Sequence, residues 1–145
     1  GWVAEDNRLS RLTEGLLQPE LIVQDWSIEG LVHDPFRGLV VFGSKRMLVF
    51  GDESYRDITP MFEGGLTQEY PVITDCLPDG QGGLLAWERG HQQVLHYDGS
   101  RWTAQTFPLR QSHWNSTRFS PNPDGSFYLV GDYDECFRIG PQVGP

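Results

Sequence analysis

An all-β chain made of repeated units of four short antiparallel strands is predicted by three observations. Strand-length runs of branched and aromatic residues fill the sequence after Pro19. Gly, Asp, Asn and Pro punctuate those runs as tight turns require. Three of the turn aspartates, Asp34, Asp79 and Asp124, follow one another at 45-residue intervals.

Ahead of the β region, residues 7–18 (NRLSRLTEGLLQ) place Leu9, Leu12, Leu16 and Leu17 at helical spacing, with Gly15 as the weak point. The expectation is an N-terminal extension with a short helix over 1–20, then a single β repeat domain over 21–145. The predicted strands are GLVVFG (38–43), RMLVF (46–50), GLLAW (83–87), QVLHY (93–97), RWTAQTF (101–107), SFYLVG (126–131) and ECFRI (135–139). Each marker aspartate opens a corresponding stretch: DPFRGLVVFG, DGQGGLLAWE or DGSFYLVGD. A second apolar run follows each one, ending in RMLVFGD, QVLHYDG or ECFRIGP. SIEGLVH, YPVITDC and STRFS stand ahead of them as the first strand of each unit.

A period of 45 residues with about four strands is what a β-propeller blade demands. A blade is a small twisted sheet that buries its faces only by packing against its neighbours. Residues 79–108 resemble a kelch-type blade, with Gly82-Gly83 before an apolar strand and Tyr97 and Trp102 further along. The resemblance implies that the glycine doublet permits a tight turn and that the Tyr and Trp pack between blades. The first copy has only Gly38, with Tyr55 as an aromatic counterpart, and the third has Gly125-Ser126. About three blade equivalents fall short of the four to eight of a closed propeller. They call for completion by a second chain, six blades in a symmetric dimer, or by further sequence. A β-sandwich or barrel with similarly spaced strands is the alternative.

Composition narrows the partners. The net charge is −9, and the eleven basic residues form no stripe, so nucleic acid is not an expected ligand. No apolar run approaches the ~18 residues of a membrane-spanning helix. Cys76 and Cys136 form no CxxC pattern and are read either as one disulfide or as two thiols. Asn115-Ser116-Thr117 matches a glycosylation acceptor. The cellular compartment is left open.

Catalytic patterns are missing from the sequence. His33, His91, His96 and His113 form no HxH or HExxH, and no GxSxG occurs. DGQGGL is followed by no Lys-Ser/Thr, so it is not a phosphate loop. Asp132, Asp134 and Glu135 are weak calcium candidates without EF-hand spacing, and no cofactor is expected. Binding is the better expectation, because loops on a rigid scaffold lower the ordering cost of recognition. The candidate contact residues are Trp87, Arg89, His91 and Arg101 in the second unit, and Arg110, His113 and Trp114 after it. The expected role is a non-catalytic protein–protein interaction module whose partner is another protein or a second copy of the chain. A carbohydrate-binding module, an acidic inhibitor or immunity-type protein and a glycoside-acting enzyme domain are the alternatives.

Overall fold

A computed structural model of the chain describes residues 2–5, 7–13, 16–22, 26–51, 54–61, 70–109, 117–131 and 135–140, with backbone only at 12–13 and 16–22. Every described element is a strand, and the strands form four separate antiparallel sheets. The N-terminal sheet is β1 (Trp2–Glu5), β2 (Arg8–Thr13) and β3 (Leu16–Ile22). The first repeat sheet is β4 (Ile28–Asp34), β5 (Gly38–Gly43), β6 (Met47–Phe50) and β7 (Tyr55–Asp57). The second is β8 (Ile73–Pro78), β9 (Leu84–Glu88), β10 (Gln93–Tyr97) and β11 (Trp102–Thr106). The third is β12 (Arg118–Pro121), β13 (Phe127–Val130) and β14 (Cys136–Ile139).

Each sheet is a meander in which consecutive strands pair. The opening strands β4, β8 and β12 begin at 28, 73 and 118, so the 45-residue spacing is the spacing of the sheets themselves. These small antiparallel sheets resemble propeller blades. Their opening strands lie side by side, β1 against β4, β4 against β8 and β8 against β12. Among the described residues no strand of the third repeat sheet pairs with one of the N-terminal sheet.

The helix expected over 7–18 is corrected: β2 and β3 form a hairpin there. Cross-strand partners in it include Leu9↔Leu21 and Leu12↔Leu17. Of the leucines at helical spacing, Leu12 and Leu17 are thus brought opposite one another, while Leu9 meets Leu21. Buried Leu9 packs on Leu39 and Val41 of β5, tertiary contact that an isolated short helix would lack. Pro19 is accommodated because β3 is an edge strand and the register shifts beside it, between Leu9 and Ser10.

Stacking explains why the central strands read as unbroken apolar runs rather than as alternating ones. In β5, Leu39 and Val41 face the N-terminal sheet, while Val40 and Phe42 face the second repeat sheet. In β9, Leu84 and Ala86 face the first repeat sheet, while Leu85 and Trp87 face the third. Three apolar layers therefore lie between four sheets, and the inner sheets bury both faces.

The turns repeat their chemistry as well. Gly38 and Gly83 are equivalent positions, and a Cβ there would sit 2.4 Å from the Phe50 carbonyl oxygen and 2.6 Å from that of Tyr97. Glycine is required because the end of the third strand crosses directly over it. Tyr97 and Trp102 pack in the layer between the first and second repeat sheets, with ring centroids 4.9 Å apart. Trp102 Nε1 donates to the Ile58 carbonyl at 2.7 Å, tying the second sheet to the first.

Both cysteines are free thiols. Cys76 is buried, and burial pushes its thiol far up, reinforced by the nearby Asp75 and Asp34 carboxylates. Cys136 is exposed. A thiol reagent is therefore expected to modify Cys136 in the folded chain and both cysteines once it is denatured, as mass spectrometry would resolve. Rapid native labelling of Cys76 would contradict the packing between β8 and β5.

Candidate functional site

The three marker aspartates build turns. Asp34 accepts from the Phe36 N–H at 2.9 Å and from Arg37 Nη1 at 2.6 Å. Asp79 accepts from the Gln81 and Gly83 N–H groups at 2.6 and 2.9 Å, and its other oxygen meets His96 Nε2 at 2.7 Å. Asp124 accepts from the Ser126 N–H at 2.9 Å and from Arg138 Nη2 at 2.6 Å. Each carboxylate thus closes an Asx-type turn and meets a basic side chain. In the first unit this is Arg37 from the turn itself; in the second and third it is His96 and Arg138, from the penultimate position of the third strand. Arg37 also donates to the Gly82 carbonyl at 2.5 Å and lies over the Tyr97 ring, joining the first two repeat sheets. These residues are structural.

The sequence candidates among the described residues are Trp87, Arg89, His91 and Arg101, and they are spread over one apolar layer and two turns. Trp87 is 2% exposed and belongs to the layer between the second and third repeat sheets. Arg89 is exposed, and its backbone N–H donates to the Val72 carbonyl at 2.9 Å. His91 Nδ1 lies 2.7 Å from the fully buried Glu88 carboxylate, which also accepts from the His91 N–H. Arg101 is exposed in the β10–β11 turn. Arg89 and His91 belong to the β9–β10 turn, and successive turns of a meander lie at opposite ends of the sheet. Arg110, His113, Trp114, Asn115, Asp132 and Asp134 lie outside the described residues. Glu135 is described, its carbonyl accepting from Gly131 N–H at 2.8 Å. Among the described residues no cluster of three metal-ligating side chains occurs. No protein-family model, curated protein or solved structure matches the chain.

What the fold does assemble is a cleft of about 490 Å³ where the three opening strands meet. Glu29, Thr74, Asp75, Thr117 and Arg118 supply its polar lining. Asp75 accepts from the N–H of Phe119 at 2.7 Å and from that of Cys76 at 3.0 Å, bridging β8 to β12. Burial raises its carboxyl, outweighing those two hydrogen bonds and the nearby Arg118. Its contribution to stability is therefore full below the ordinary carboxylate value and falls as pH rises through the raised one. A second groove, of about 420 Å³, lies between Arg56–Thr59 and Tyr97–Trp102. Neither was foreseeable from local motifs, since each draws on segments about 45 residues apart; the one signal was Asp75, a charge inside a strand.

The third repeat sheet differs from the other two. Phe127 and Leu129 face the second sheet and are buried. Tyr128 and Val130 alternate with them and point away, 39% and 37% exposed. Tyr128 stands opposite the penultimate residue of the third strand, as Val40 and Leu85 do. Val130 holds the place of Phe42 and Trp87, and all four of those counterparts are buried. Cross-strand partners of Tyr128 and Val130 are Arg138 and Cys136 on β14, and Ser120 and Arg118 on β12. Among the described residues no further sheet covers this face.

Proposed function

We propose that the chain is a non-catalytic protein-interaction module whose rigid stack of blade-like sheets presents an uncovered sheet face, with a second copy of the chain as its partner. The observation that carries this reading is the exposure of Val130 and Tyr128 where repeat logic buries the neighbour's counterpart. The same apolar position in each earlier sheet is satisfied by another sheet, so the chemistry of a fitting partner is itself a sheet face. Three short strands offer less than the roughly 800 Å² per partner of a stable interface, so self-association through this face alone is weak and concentration-dependent.

Sedimentation velocity across a concentration series tests it. The chain is expected to shift reversibly toward dimer at high concentration, and a Tyr128→Lys/Val130→Lys double variant to remain monomeric with an unchanged melting transition. A chain that stays monomeric throughout, or a variant that associates as well as the parent, would overturn self-association through this face.

A further inference from the structure

Among the described residues the third repeat sheet also lacks a fourth strand. In the first two repeat sheets a fourth strand lies antiparallel on the third: β7 on β6 and β11 on β10. In the third, β14 holds the place of β6 and β10, and among the described residues it pairs with β13 alone. The Gly131 N–H to Glu135 carbonyl bond closes the β13–β14 hairpin and sets the alternation of the ladder. From there Phe137 and Ile139 turn their backbone groups toward β13, and Cys136 and Arg138 turn theirs to the outer edge.

We infer that the outer edge of β14 is a strand-addition site for an extended segment of a second polypeptide, bound antiparallel through its backbone. The two filled edges describe the occupant's chemistry. Tyr55 and Trp102 each open the fourth strand and stand opposite the aromatic residue that ends the third, Phe50 or Tyr97. Their ring centroids lie 5.4 and 4.9 Å apart. Exposed residues follow in both, Arg56-Asp57 and Thr103-Ala104-Gln105-Thr106. The fitting segment therefore begins with an aromatic residue, which lies across from Ile139, and continues with short or polar side chains. Backbone hydrogen bonds supply the affinity, and the aromatic residue sets the register. This rests on the interaction-module reading and names its partner's chemistry, but it uses the edge of the sheet rather than its face.

The probe is a synthetic peptide of residues 99–107, GSRWTAQTF, the segment that fills the corresponding edge in the second sheet. The Asp98 N–H to Arg101 carbonyl bond and the Phe107 N–H to Gln92 carbonyl bond fix which of its amides turn inward: those of Thr103, Gln105 and Phe107. Titrated into the isotope-labelled chain, the peptide is expected to move the amide resonances of Cys136–Ile139 saturably. N-methylation at Thr103 and Gln105 is expected to weaken binding by about tenfold or more, and N-methylation at Ala104 and Thr106 by about twofold at most. Absence of saturable shifts, shifts centred on Gln93–Tyr97, or equal sensitivity to both methylation patterns would overturn the inference. Repeating the titration on the Tyr128→Lys/Val130→Lys variant separates the two readings. Peptide binding by a chain that never dimerises refutes self-association and leaves the edge site standing, whereas dimerisation without peptide binding refutes the edge site alone.

Discussion

Replacement of Trp87 by alanine is expected to cost about 3–5 kcal/mol, as large-to-small aromatic substitutions in close-packed interiors do. Trp87 is among the largest fully buried side chains and shares its layer with Leu85, Val94, Phe107, Phe119, Phe127 and Leu129. Those neighbours come from two sheets, so the vacated volume cannot be closed by the movement of one strand. Against a typical total of about 5–15 kcal/mol, a loss of this size takes up a large part of the stability. Urea denaturation should show a lower midpoint with an unchanged slope. An Arg89→Ala control, at an exposed position two residues away, should stay within about 0.5 kcal/mol of the parent. A Trp87→Ala loss under about 1 kcal/mol would place the indole outside the core and return it to the ligand-contacting candidates.

The second large effect is expected at Asp79. Its carboxylate is almost fully buried and accepts two backbone N–H groups and the His96 ring nitrogen. Asp79→Ala leaves the buried Gly83 N–H and the half-buried His96 ring without their acceptor, at about 1–3 kcal/mol for each one left unsatisfied. The Gln81 N–H, by contrast, belongs to an exposed residue. Rearrangement and water entry reduce the sum, and a net loss of about 3–5 kcal/mol is expected, the range found when one partner of a buried pair is removed. The same substitution at Asp124, whose side chain is 55% exposed, should cost clearly less because water replaces Arg138 as a partner. Thermal melts of the two variants side by side decide the matter. Equal losses would mean that the turn geometry, rather than burial, sets the importance of these aspartates.

The repeat was legible in the sequence for a physical reason. A stack of similar sheets needs the same turn at the same interval, and Asp34, Asp79 and Asp124 build that turn with their own carboxylates. The Gly38 and Gly83 positions and the Tyr97–Trp102 pair were legible for the same reason, since local geometry excludes most other residues there. The hairpin at β2–β3 was not, because leucines at 9, 12, 16 and 17 fit a helix face as well as a folded ladder. Only contact with Leu39 and Val41, some thirty residues away, distinguishes the two. The described binding candidates, Trp87, Arg89, His91 and Arg101, are dispersed because they were chosen by residue type, whereas side-chain direction follows strand parity and turn order. Trp87 illustrates this: its neighbour Glu88 and its turn partner His91 look like a polar site, yet its ring points into the layer beneath. The uncovered face at Tyr128 and Val130 was hidden differently, since SFYLVG and GLLAW have the same character and only their neighbours differ.

The three apolar layers have a consequence for how the chain comes apart. Among the described residues each apolar layer joins one sheet to the next, so the molecule behaves as a row of coupled units rather than as one core. A unit in the middle of such a row is held by two interfaces and a terminal unit by one. Opening therefore begins at the ends and travels inward, and the first and second repeat sheets, each flanked on both sides, are the last to let go. By the same rule, whatever docks on the third sheet does more than occupy a surface. It converts a terminal unit into an interior one and transfers fraying to itself.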